Sequence, residues 1–89
     1  MKKILVVDND QIMRRFMTKL LEKERCQVVT EEDGLNALDI LKTYTPDVMF
    51  IDLVMPNIDG EILCRIIRGI QKFKDTYLII LSAIAARTD

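Results

Sequence analysis

Histidine is absent from this 89-residue sequence. That removes every Ser-His and Cys-His catalytic arrangement. It also leaves the two cysteines, Cys26 and Cys64, without the further ligands that a metal site would need. Three glycines and two prolines are too few for a low-complexity linker. Long apolar runs are missing as well. Ile4–Val7, Val48–Ile51 and Tyr77–Leu81 fall far short of the roughly 20 residues of a membrane helix. Lys2 and Lys3 are followed by only a short apolar run before Asp8, so no secretory signal is expected there. The expected location is the cytoplasm, with both cysteines reduced and Cys64 packed in a core. Charge of one sign is lacking too. Thirteen basic and 14 acidic side chains leave a net charge of −1, which gives no expectation of nucleic-acid or membrane binding.

What is present is one domain's worth of patterned sequence. The hydrophobic fraction of 49% and charged fraction of 30% exclude a disordered chain. Two periodicities alternate. Lys3–Val7 is a short β-branched run and reads as a buried strand. From Gln11 to Glu24, Ile12, Met13, Phe16, Met17, Leu20 and Leu21 recur at helical spacing, with Asp10 placed as the N-cap. Met13, Phe16 and Met17 are expected in the core, and Arg14 and Arg15 on a solvated face. Gln27–Glu31 reads as a second strand, and Asp33 caps a second helix from Leu35 to Tyr44, ended by Pro46-Asp47. Val48–Ile51 is a third strand closed by Asp52. Leu53 to Gly60 is a loop, Glu61 to Lys72 a third helix, and Tyr77–Leu81 a fourth strand followed by Ser82. Strands alternating with amphipathic helices predict an α/β fold, a doubly wound parallel sheet with helices on both faces.

Ligands of such a sheet bind beyond the carboxyl ends of its strands. The first strand is followed by Asp8, Asn9 and Asp10, the third by Asp52 and the fourth by Ser82. If the first and third strands are neighbours, Asp8 and Asp52 converge. Two converging carboxylates repel, and a shared cation or proton lowers the cost. Mg2+, with its preference for carboxylates, backbone oxygen and water, suits such a pair. No glycine-rich loop follows any strand, so a nucleotide-binding sheet is not expected.

Three stretches carry a further likeness: Ile4-Leu-Val-Val-Asp8, then Pro46 to Gly60 with its Asp52-Leu-Val-Met-Pro56-Asn-Ile-Asp59-Gly60 run, then Leu81-Ser82-Ala83. Together they resemble the receiver domain of bacterial two-component response regulators, the CheY-like family. The likeness implies a flavodoxin-like sheet with strand order 2-1-3-4, in one receiver unit over residues 1–89. It implies that Asp52 accepts a phosphoryl group from a sensor histidine kinase or phosphotransfer protein. Asp8, Asn9, Asp52 and the Val54 carbonyl would hold Mg2+. Ser82 would donate its hydroxyl to the phosphoryl group, and small Ala83 would leave it room. Partner kinases of the family dock near the first helix. The domain would be a signalling module rather than an enzyme, with at most self-catalysed phosphotransfer and dephosphorylation. Pro56 and Gly60 shape the loop. Pro56 fixes φ, and Gly60 is expected to take an angle closed to residues with a Cβ.

Two departures from the family pattern stand out. The family places two adjacent acids after the first strand, whereas this chain has Asp8-Asn9, which predicts weaker Mg2+ binding. The family pattern also continues with a helix, a fifth strand ending in a lysine, and a last helix. This sequence stops a few residues after its fourth strand, so the receiver is expected to be incomplete at its C-terminal end. With an uncovered sheet face and an open edge strand, the chain is expected either to self-associate as a homo-oligomer or to be a fragment of a larger regulator. Two other functions compete. One is a receiver-like interaction or dimerisation module that is never phosphorylated. The other is an aspartyl-nucleophile phosphatase, for which Asp8-Asn9-Asp10 has the bare spacing.

Overall fold

A computed structural model describes residues 1–81. Strands β1 (Lys3–Val7), β2 (Gln27–Glu31), β3 (Val48–Asp52) and β4 (Tyr77–Leu81) form one parallel sheet. Its order is β2-β1-β3-β4, as expected. Helices α1 (Gln11–Lys23), α2 (Gly34–Ile40) and α3 (Gly60–Arg68) connect the strands. None of the described helices is long and apolar enough to cross a membrane.

Each helix begins on an aspartate. Asp10, Asp33 and Asp59 accept from the amides of Ile12, Asn36 and Ile62 at 2.9, 2.8 and 2.9 Å. Such caps satisfy amides that the first helical turn cannot. The Asp59 cap starts α3 at Gly60, within what the sequence predicts to be loop.

Two helices end earlier than their periodicity predicts. α2 stops at Ile40 rather than Tyr44. Beyond it the amides of Lys42 and Thr43 close tighter turns onto Asp39 and Ile40, and Pro46 bars helical backbone at Thr45. α3 stops at Arg68 rather than Lys72. Gly69, a poor helix former, caps it, and Ile70 is extended at φ −107° and ψ 118°. A 3₁₀ turn over Gln71–Phe73 follows. Lys72 Nζ from this turn donates to the Leu41 and Lys42 carbonyls at 2.9 and 3.3 Å, closing the end of α2.

Side chains alternate across each strand, so the sheet builds a core on both faces. Leu5, Val7, Met49 and Ile51 pack with Ala37 and Leu41 of the α2 region, Leu63 and Ile67 of α3, and Phe73. Cys64 packs against this cluster as expected, and both cysteines are free thiols. On the opposite face Ile4 and Val6 pack with Met17 of α1. At the sheet end away from Asp52, Asp47 ties three strands together. Its carboxylate and amide bond to Lys3, and its carbonyl accepts from Tyr77.

The α1 expectation needs correction. Met17 is buried, but Met13 is 37% and Phe16 58% exposed. α1 lies over β1 and β2, which turns Ile12, Phe16 and Leu20 outward. Tyr77 and Ile79, in register with Val48 and Phe50, are also exposed. Beyond the other face of β4, Ile80 lies open along with Ile62 and Ile66 of α3. Among the described residues no element covers these side chains.

Candidate functional site

The pairing of β1 with β3 sets Val7 beside Ile51. Both strands then run out at an aspartate, so Asp8 and Asp52 stand side by side at the carboxyl end of the sheet. Asp8 is only 5% exposed. Its amide donates to the Glu31 carbonyl at 3.1 Å, which fastens it to β2. Its Oδ1 accepts from the Asp10 amide at 2.8 Å. Its carbonyl accepts from Arg14 Nη1 at 2.7 Å. The Arg14 bond was not expected, because helical periodicity places Arg14 on the polar side of α1.

Asp52 is half-buried. Burial, then the Asp8 charge and carboxyl group, push its carboxyl above the usual carboxylate range. Amides of Val54 and Leu53 partly oppose that, with Val54 N–H at 3.4 Å from Oδ1. Nearby Glu31 is also raised, by burial first and then by Asp33, while Arg14 draws it down. The carboxyl end of the sheet is thus a crowded acidic pocket. Among the described residues, none of the charges acting on the Asp52 carboxyl is positive. An oxygen-seeking dication fits that donor set, since two carboxylates are enough protein ligands for Mg2+ when waters complete the shell. Among the described residues no group of three or more His, Cys, Asp or Glu side chains could hold a metal. A bound ion would therefore rest on this pair and on neutral oxygens.

Asn9 is exposed beside the pair. Asp10 follows Asn9 in the chain, and its Oδ1 accepts from the Ile12 amide as the α1 cap. Val54 is 64% exposed at the mouth of the pocket, beside exposed Pro56. Ser82 and Ala83 lie outside the described residues.

Gly60 has a different purpose from the one expected. Its φ is not positive. A Cβ there would sit 2.4 Å from the Asp52 carbonyl oxygen and 2.9 Å from Leu53 Cα. The glycine is required for close approach, not for an unusual angle. Asn57 takes the left-handed angle instead, at φ 69°, in a three-residue turn closed by Ile58 N–H onto the Pro56 carbonyl. Met55, 7% exposed, anchors this loop in the core. Its apolar type amid loop residues was the available signal.

The profile of the family described as "Response regulator receiver domain" matches residues 4–89. Protein PilG of Pseudomonas aeruginosa is 37% identical over 81 residues, covering 91% of this chain and 60% of PilG. The chain thus spans less than two thirds of that relative. Chemotaxis protein CheY4 of Vibrio cholerae superposes with a TM-score of 0.89 at 27% identity, covering 100% of this chain and 72% of that one. Response regulator protein TrrA of Thermotoga maritima, solved in complex with Mg2+-BeF, gives a TM-score of 0.86 at 35% identity. That match covers 93% of this chain and 70% of TrrA.

Proposed function

Because this chain belongs to the response regulator receiver domain family of two-component signalling, we propose that it accepts a phosphoryl group on Asp52 from a sensor histidine kinase or phosphotransfer protein. The supporting observation is the pairing of Asp8 and Asp52 at the ends of adjacent strands. A carboxylate oxygen of Asp52 attacks phosphorus as the P–N bond of a phosphohistidine breaks, and the imidazole departs as leaving group. Such a transfer needs position and charge neutralisation more than covalent chemistry by the protein.

Mg2+ fits as the neutralising ion, held by Asp8, Asp52, the Asn9 side-chain oxygen and the Val54 carbonyl. When bound, it offsets the charge of the pair and of the incoming phosphoryl oxygens. Asp8 contributes by fixed placement, held at its amide, its carbonyl and one carboxylate oxygen. Ser82 as hydroxyl donor and Ala83 as the small neighbour complete the proposed site on family likeness alone.

The test is incubation with acetyl phosphate and Mg2+, followed by intact-mass and peptide mapping. One phosphoryl adduct on the Asp52 peptide is the expected result. No adduct would overturn the reading and favour the phosphate-free interaction module, to which Asn9 lends some support.

Asn9→Asp is expected to bind Mg2+ about thirtyfold more tightly. A unit charge about 4 Å from a dication is worth about 2 kcal/mol even at the dielectric of water. Equal affinities in parallel calorimetric titrations would refute a direct role for this position.

Self-association is the second proposal for this chain. β4 is the outer strand among the described residues, and Tyr77, Ile79 and Ile80 stay exposed along it. Light scattering should show a dimer that Ile79→Lys disperses. A monomer that persists at high concentration would exclude it.

A further inference from the structure

We propose that Arg14 is a positioning residue for the cation site, holding the turn after β1 so that Asp8 presents its carboxylate to the ion. This rests on the reading of Asp8 and Asp52 as the cation-binding pair. Asp8 lies just past the last residue of β1. Its carbonyl nevertheless belongs to a residue that is 5% exposed, and a buried carbonyl without a partner is costly. Arg14 Nη1 supplies that partner at 2.7 Å, six residues along the chain.

Arg14 is itself well anchored. Its amide donates to the Asp10 carbonyl at 3.0 Å in the first turn of α1. Its carbonyl accepts from Thr18 Oγ1 at 2.8 Å. The side chain is half-buried, unlike that of its exposed neighbour Arg15. Together with the Asp10 amide on Asp8 Oδ1, the guanidinium closes a small frame around Asp8. One strut fixes the main chain and the other fixes the side chain.

The charge of Arg14 makes the proposal decidable. A guanidinium close to a cation site repels the cation, so its loss by plain electrostatics would tighten Mg2+ binding. Loss of a positioning bond acts in the opposite direction. Residues that orient metal ligands typically contribute about tenfold or more in affinity.

The experiment compares Arg14→Gln, Arg14→Lys and Arg15→Gln with the parent chain. Mg2+ affinity is read by calorimetry, and amide exchange of Asp10 is read by NMR without metal. Arg14→Gln should weaken Mg2+ binding about tenfold and speed exchange of the Asp10 amide, with core amides unchanged. Arg14→Lys, which retains a donor, should restore part of both. Arg15→Gln loses the same charge and should bind Mg2+ equally or slightly more tightly. Equal or tighter binding by Arg14→Gln overturns the proposal. If the parent chain binds no Mg2+, the cation reading itself fails. The exchange data then decide the positioning bond alone, and unchanged Asp10 exchange in Arg14→Gln overturns it.

Discussion

Asp52→Asn is expected to take up no phosphoryl group and to melt at a higher temperature than the parent chain. Uptake is lost with the nucleophilic carboxylate oxygen, and stability is gained with the loss of its charge. Burial and the neighbouring Asp8 raise the Asp52 carboxyl above its ordinary value, so the folded state holds that proton more tightly than the unfolded chain does. Stability from such a group is full below the ordinary carboxylate range and is lost as pH rises through the folded value. At neutral pH the ionised Asp52 therefore works against folding. Asparagine keeps the shape without the charge. Relief of a single unfavourable surface charge commonly yields about 0.5–2 kcal/mol, and each 1 kcal/mol is worth about 4–8 °C in a domain of this size. The gain should vanish in acid, where Asp52 is protonated, and should shrink when saturating Mg2+ stabilises the parent chain. Melting curves at neutral and acidic pH check this. A lower melting point for Asp52→Asn in metal-free neutral buffer would refute it.

Gly60→Ala is expected to be the most damaging alanine substitution at the three glycines. The added methyl would meet the Asp52 carbonyl oxygen at 2.4 Å, Leu53 Cα at 2.9 Å and the Asp52 carbonyl carbon at 3.0 Å. All three are backbone atoms, so no side chain can swing aside. Gly60 cannot retreat either, because it is buried at the first position of α3 and its amide bonds the Leu53 carbonyl at 2.8 Å. Relief requires moving α3 or the end of β3. The expected loss is about 3 kcal/mol, the upper end of overpacking costs, together with slower phosphoryl uptake because Asp52 moves. Gly69→Ala is the control. Its Cβ would find nothing nearer than 3.5 Å, and the change should be neutral or stabilising by about 0.4–1 kcal/mol. Chemical denaturation of both variants checks the contrast. Equal stabilities would mean that the close approach carries no strain.

The convergence of Asp8 and Asp52 was legible in the sequence because it needs only strand ends and strand order. Apolar runs mark the first, and alternation with helices constrains the second. Side-chain environments at the helix surfaces were less legible. Phe16 has the spacing of a core residue, yet which part of the sheet α1 covers depends on a crossover that periodicity does not encode. Helix ends were overestimated where apolar spacing ran on past Ile40 and Gly69. Gly60 was singled out for a dihedral angle, whereas the cause is a contact between segments eight residues apart at the Asp52 carbonyl. Arg14 was missed for the same reason. Its partner is a main-chain atom, and main-chain atoms leave no mark on composition or pattern.

The strand order has a consequence for biosynthesis. β2 adds to one side of β1, β3 to the other, and β4 beyond β3. Every described strand made after the first joins a free margin, and none of them has to be threaded between two that are already paired. The sheet can therefore be laid down in the order in which a ribosome delivers it, each βα unit docking on what has already emerged. Parallel pairing is otherwise slow, because its contacts are distant along the chain. Here that delay overlaps with the time of synthesis itself, at about 5–20 residues per second.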